Sequence, residues 1–108
     1  MTSDSIRGSS DRSILILTSL ADWPKHGYAL IKDIEGFAGV KLGAGTLYSA
    51  LAKLEQAGLV EALPPEERRR PYRITATGSA ELAGALADLR RITNTGTARL
   101  GRLGLGPA

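Results

Sequence analysis

The chain has no cysteine and a single histidine among its 108 residues. Disulfides and thiolate chemistry are therefore excluded, and a zinc site of the usual His and Cys composition is not expected. No apolar run approaches the ~20 residues needed to span a bilayer, and the start of the chain lacks the hydrophobic region of a signal peptide. We expect a cytoplasmic protein with no metal and no cofactor.

Signals of catalysis are equally scarce. The sequence offers no nucleophile–base pair and no paired acidic cluster. The glycines in Gly43–Gly45 are too close together and follow no strand, so they do not form a phosphate-binding loop. We expect no catalytic residues, and the chain is not predicted to be an enzyme.

What is present is typical of one small globular domain. Hydrophobic residues make up 43% of the chain and charged residues 23%, enough for a single core. The net charge is +3 and the pI is about 9.6, which favours an anionic partner.

Hydrophobic spacing predicts helices separated by short breaks. Residues 1–10 are polar and predict a flexible arm, and an apolar helix should begin at Asp11, capped by Asp11 or Ser10. Pro24 disfavours helix at Trp23. A second helix is expected over Gly27–Phe37, and a third from about Gly45 to Ala57 with Gly58 as its stop.

The second half of the sequence predicts a hairpin and a long helix. Two strands, "LVEAL" and "YRIT", flank the loop "PPEERRRP". A fourth helix should begin near Thr77, with Thr75 or Thr77 as its N-cap, and run to residue 95. The glycine-rich segment 96–108 is expected to fray or to be disordered.

This order of elements is that of a winged helix-turn-helix domain, over residues 11–76, with an added C-terminal dimerisation helix over 77–95. The fold class is therefore mainly α with a small β-hairpin. The basic hairpin tip is the wing.

Three stretches together make the match more specific: "HGYALIKDI" from His26, "GTLYSALAKLEQAGLV" from Gly45, and "RRPYRITATG" from Arg69. The sequence resembles the PadR family of bacterial transcriptional regulators over roughly residues 12–92. The resemblance implies a homodimeric repressor whose third helix enters the major groove and whose wing touches the backbone or minor groove. Ser49 departs from the proline often found there in the family. The fourth helix lacks the aromatic residue expected of members that bind flat aromatic ligands.

The third helix has two distinct faces. Leu47, Leu51 and Leu54 point inward, which leaves short polar side chains and one lysine on the opposite face. Periodicity alone fits a solvated face as well as a DNA-reading one, and the resemblance favours DNA. Tyr48 on the flank could reach a phosphate or simply pack.

Arginines 68–70 at the wing tip suit a narrow, negative minor groove, although Glu66 and Glu67 could neutralise them locally. His26 is expected to cap or to pack, and Tyr28 could present its hydroxyl to a phosphate at a helix N-terminus. The predicted DNA-binding residues are Tyr28, Lys41, Thr46, Tyr48, Ser49, Lys53, Gln56, Arg68, Arg69, Arg70 and Tyr72.

A mostly apolar repeat in the fourth helix has spacings of four and three, the pattern of a two-stranded coiled coil. Its members are Leu82, Leu86, Leu89, Thr93, Gly96, Leu100 and Leu103. This stripe could form a dimer seam, pack on the first helix, or do both. The predicted dimer interface consists of Leu15, Leu82, Leu86, Leu89 and Ile92.

The leading function is a dimeric, sequence-specific DNA-binding transcriptional regulator, acting as a repressor on a palindromic operator in double-stranded DNA. The alternative is a winged-helix module that binds another protein. A small hydrophobic effector could also bind near Leu15, Trp23 or Leu89.

Overall fold

The computed structural model describes residues 9–104, and the predicted arm up to Gly8 and the last residues of the predicted tail lie outside this range. Its helices and strands follow the predicted order with one short strand added. They are α1 (Ser9–Leu20), β1 (Lys25–His26), α2 (Gly27–Ala38), α3 (Ala44–Gln56), β2 (Val60–Ala62), β3 (Pro71–Ile74) and α4 (Ala76–Arg102).

One apolar core holds the helices together. Helix α3 buries the three leucines that its spacing predicts, α1 and α2 each bury apolar side chains on one side, and α4 adds Leu82 near its start. Phe37, near the end of α2, stays 49% exposed. The buried hydrophobic residues are Ile16, Leu17, Leu20, Leu30, Ile34, Leu47, Leu51, Leu54, Val60 and Leu82. Burying a side chain of this kind stabilises the fold by roughly 1.5–3 kcal/mol, so the stripes fix which face of each helix is left outside.

The sheet is larger than the predicted hairpin, because a third strand joins it. Lys25 and His26 pair antiparallel with β3, which lies between β1 and β2. This pairing fastens the wing to the start of α2. A strand of two residues carries no alternation of apolar and polar side chains, so the sequence pattern could not predict it.

Lys25 is held in place rather than free. Its side chain is only 9% exposed, and its ammonium group donates to the backbone oxygen of Ser19 and lies 2.6 Å from Asp22 Oδ1. The hydrogen bond from Lys25 lowers the pKa of the Asp22 carboxyl. Lys25 therefore stabilises the loop between α1 and β1.

Helix α1 begins at Ser9, so Ser10 and Asp11 lie inside the helix and not at the predicted cap. Helix α4 ends at Arg102, and the predicted boundary at residue 95 falls within it. Thr75, one of the two predicted N-caps, is the N-cap of α4. Its Oγ1 accepts a hydrogen bond from Gly78 N at 2.9 Å. The long helix gives the protein an elongated shape of 55 × 25 × 25 Å.

Between residues 9 and 104, no helix combines the length and the apolar character needed to cross a membrane.

Candidate nucleic-acid interface

Helix α3 presents a polar face to solvent. Leu47, Leu51 and Leu54 are buried beneath it. The predicted contact residues on the opposite side are all exposed: Thr46, Ser49, Lys53 and Gln56. Short polar side chains on an exposed helix face can approach base edges in a major groove, and a lysine can approach phosphates.

Arg12 of α1 lies beside this face, which the sequence did not indicate. It lines a surface pocket of about 340 Å³ together with Thr46, Ser49 and Lys53. The pocket joins the start of α1 to the outer face of α3 and places two cationic side chains around it. Arg12 stands in a polar stretch that we interpreted only as the beginning of a helix, so nothing in its local pattern marked it.

Tyr48 is packed against the start of α2. A Cβ atom at Gly27 would lie 2.7 Å from Tyr48 Cζ and closer still to its hydroxyl, so only a glycine leaves room for the ring. The Tyr48 side chain nevertheless remains 48% exposed. Its ring therefore packs at one edge while the rest of it stays accessible, so the packing role is found and the phosphate contact stays a prediction.

The wing ends in a tight turn. Glu66 and Arg69 exchange two backbone hydrogen bonds of 2.7 and 2.9 Å, so Glu67 and Arg68 form the turn itself. Glu67 adopts a positive φ of 56°, a conformation that non-glycine residues rarely take. Arg70 Nη1 donates to the backbone oxygen of Leu63 at 3.2 Å, which orients one of the three arginines.

The wing tip, α2 and α3 meet around a second pocket of about 180 Å³. Its lining comes from the first residues of α2, from Tyr48, and from arginines 68–70. His26 caps α2, as predicted, because its Nδ1 accepts from Ala29 N at 3.4 Å. The Nε2 of the same ring lies 3.2 Å from Arg69 Nη1. The structure thus brings Tyr28, Tyr48 and the wing arginines together, as a single binding surface requires.

Two of the other predicted DNA-binding residues have local partners. Lys41 is exposed, with its Nζ 3.9 Å from Glu35 Oε2. Tyr72 packs against the core, and its burial raises the pKa of its hydroxyl, helped by the nearby charge of Glu55. Tyr72 therefore helps to pack β3 against the core, and its contact with DNA stays a prediction.

The predicted dimer residues separate into two groups. Leu82 is buried in the core of the chain, which is one of the two roles considered for the stripe, and Leu15 is half-buried against that core. Leu86, Leu89 and Ile92 are exposed, by 41%, 40% and 64%. An apolar groove of about 340 Å³ runs beside them, lined by Ile14, Leu15, Ala38, Val40 and Leu89. Trp23 does not line this groove and is 63% exposed.

In the described part of the chain, no group of three or more His, Cys, Asp or Glu side chains is arranged to hold a metal ion.

Solved structures with the same architecture include regulators of transcription. A PadR family transcription regulator from Clostridium difficile superposes with a TM-score of 0.74 at 26% identity, over 82% of this chain and 96% of that one. A transcriptional regulator from Clostridium thermocellum superposes with a TM-score of 0.71 at 31% identity, over 88% of this chain and 93% of that one.

One further relative is a 37.1 kDa protein in transposon TN4556 of Streptomyces fradiae. It is 40% identical over 84 residues, which are 78% of this chain. The chain spans only 24% of the length of that relative.

The sequence model of the PadR-like family of transcriptional regulators matches residues 16–84, which include α2, α3 and the wing. The stretches that carried the resemblance fall within this match. The chain belongs to the PadR-like family of transcriptional regulators.

Proposed function

We propose that this protein is a homodimeric repressor that binds double-stranded DNA sequence-specifically, with α3 in the major groove and the wing on the backbone or in the minor groove. The observation that supports this most is the pocket in which Tyr48 of α3, the start of α2 and the wing arginines meet. It brings a residue on the flank of α3 next to the basic wing tip, which supports a single DNA-binding surface formed by both.

The residues on this surface would have different tasks. Thr46, Ser49 and Gln56 would read base edges, because their side chains can donate and accept hydrogen bonds. Lys53 and the wing arginines would neutralise phosphates and supply affinity that depends on salt. Arg12 joins this second group because it shares a pocket with Lys53.

Dimerisation would place two such surfaces side by side. A single winged helix covers only a few base pairs, whereas two copies can read successive major grooves about 34 Å apart. The exposed residues Leu86, Leu89 and Ile92 support this proposal, since they form an apolar strip on α4. A palindromic operator and a cytoplasmic location belong to the same proposal.

Control by a small hydrophobic effector is proposed for the groove beside Leu15 and Leu89. The described lining of this groove is apolar, so shape and hydrophobicity would govern the choice of effector. Binding would be measured by calorimetry with candidate compounds. The lack of heat from every candidate would speak against effector control.

The proposal is tested by reversing the charge at Lys53. In fluorescence anisotropy with a labelled duplex, Lys53→Glu should weaken binding to all DNA sequences. It should also reduce the slope of log affinity against log salt by about 0.9, the value for one phosphate contact. Arg102→Glu, which makes the same charge change at the end of α4, is the control and should leave binding close to wild type.

Unchanged affinity of Lys53→Glu at moderate salt would contradict the assignment of α3 as the reading helix. If the wild type also bound no DNA, a protein partner for the same surface would become the better explanation.

A further inference from the structure

We infer that the wing tip and the start of α2 form a phosphate-binding subsite, in which the His26 ring and Arg69 together hold one phosphodiester of the DNA backbone. This inference rests on the proposed function. It assigns a ligand to the pocket between the wing tip, α2 and α3. It also makes His26 more than the helix cap that the sequence predicted.

The first step concerns the hydrogen bonds of His26. A neutral imidazole has one nitrogen that accepts and one that donates. Its Nδ1 accepts from Ala29 N, so the proton belongs on Nε2. Nε2 lies 3.2 Å from Arg69 Nη1, and a guanidinium nitrogen can only donate. Two N–H groups therefore face each other without an acceptor between them.

This excess of donors does not depend on the tautomer chosen. If the proton were on Nδ1, Arg69 would have its acceptor, but Ala29 N–H would then face a second donor. With either tautomer, the ring has one accepting nitrogen for two donors, Ala29 N–H and Arg69 Nη1. The second ring nitrogen carries an N–H, which is a third donor. An oxygen atom that accepts from His26 and Arg69 together would satisfy the arrangement.

The second step concerns charge. Arg68 and Arg70 line the same pocket, and no carboxylate is among its described lining residues. The first turn of α2 contains no acidic side chain, and the positive end of the helix dipole there favours an anion. The oxygen that satisfies the ring is therefore expected to belong to an anion.

The third step concerns the source of the anion. Tyr48 connects the pocket to α3, and Tyr28 stands at its edge with a side chain 67% exposed. The pocket is small and open to solvent, and it includes a residue of the proposed reading helix α3. DNA bound to that helix would carry its backbone past the pocket, so we assign the ligand as a backbone phosphodiester and not as free phosphate.

The test uses NMR of the His26 ring, whose signals are unambiguous because the chain has one histidine. Imidazole ¹⁵N spectra at a pH at which the ring is neutral should show the proton on Nε2. Adding inorganic phosphate at constant ionic strength should shift the ring signals saturably, while the same ionic strength of chloride should not. Adding a duplex that the protein binds should shift the same signals.

Three variants separate ligand binding from folding. Arg69→Gln should weaken the phosphate response about 10-fold, as expected for the loss of a charge-assisted hydrogen bond. Arg73→Gln is the matched control, because Arg73 is paired with Glu61 on the strands and does not line the pocket. His26→Asn retains a good N-cap residue, so it should fold normally and bind DNA less tightly than wild type.

Each outcome has a distinct meaning. DNA binding with His26 signals that do not move would overturn the subsite and leave the proposed function standing. A phosphate response without DNA binding would overturn the assignment to a DNA phosphodiester and would also contradict the proposed function. Equal loss of the phosphate response in Arg69→Gln and Arg73→Gln would overturn the role of Arg69.

Discussion

At the scale of single residues, two glycines differ in what a side chain added at each position would meet. At Gly27 the neighbour is the Tyr48 ring, an exposed side chain that can rotate away. At Gly78 the neighbours are the backbone oxygen of Leu59 and Ile74 Cγ1, the latter 2.9 Å from where a Cβ would lie. The first glycine therefore positions a side chain, and the second permits α4 to pack against the wing.

This difference predicts that alanine at Gly78 mainly lowers stability, whereas alanine at Gly27 mainly weakens DNA binding. Gly78→Ala should lower the free energy of unfolding by about 1–3 kcal/mol, because backbone must move to make room. Gly27→Ala should change stability by less than that but weaken DNA binding, because Tyr48 is displaced from the pocket. Chemical denaturation and DNA anisotropy on both variants check this. If Gly27→Ala bound DNA with wild-type affinity, the assignment of Tyr48 to the DNA interface would be wrong.

Residue roles could be predicted from sequence where one local interaction decides them. The Thr75 cap and the His26 cap depend on positions just before helices, and both are found. Arg12 and Lys25 could not be placed in this way. Arg12 approaches Lys53 only through the packing of α1 beside α3, and the partners of Lys25 are fixed by the fold of the loop.

At the scale of elements, α4 shows which glycines end a helix. The prediction ended α4 at residue 95 because glycine costs about 1 kcal/mol relative to alanine in a helix. Gly96 and Gly101 nevertheless lie within it, and the helix stops before Gly104, whose φ is +75°. Gly58, after α3, likewise has a φ of +79°. A glycine in a left-handed conformation ends these helices, and composition alone does not reveal which glycine adopts it.

The two kinds of glycine should respond oppositely to alanine. Gly84 lies in α4 with open space around it, so Gly84→Ala should raise the free energy of unfolding by about 1 kcal/mol. Gly58→Ala should lower it by about 1–2 kcal/mol, because a Cβ strains the left-handed conformation. Thermal and urea unfolding followed by circular dichroism measure both. Stabilisation by Gly58→Ala would show that the turn after α3 differs from the one described.

At the scale of the whole molecule, α4 extends beyond the core it helps to form. Leu82 is buried, whereas the apolar residues after it are largely exposed, up to 72% at Leu103. Exposed apolar residues that repeat along one helix mark a surface for a partner. The spacing of four and three predicts that this partner is the α4 of a second copy.

Charge placed on this strip should separate the copies. Leu89→Glu should weaken the dimer about 10–100-fold, because a leucine that would be buried is replaced by a charge. Ala87→Glu, at an exposed position off the strip, is the control and should leave the dimer intact. Sedimentation equilibrium measures the association. Equal association of both variants would contradict the role of α4 in dimerisation.

The order of the large elements was predictable because helix stripes and turn residues are local signals, and the family resemblance confirmed them as a winged helix. The junction of wing, α2 and α3 was not predictable. It brings together residues as distant in sequence as His26 and Arg69, and only the pairing of β1 with β3 creates that proximity. The dimer remains a prediction from spacing.

The central claim is sequence-specific DNA binding by a symmetric pair of copies. Selection of bound duplexes from a random-sequence library, at physiological salt, tests it most directly. The account predicts enrichment of a two-fold symmetric site with half-sites about one helical turn apart, near 10 base pairs from centre to centre. A selected pool with no enriched sequence, or with one unpaired half-site, would contradict it.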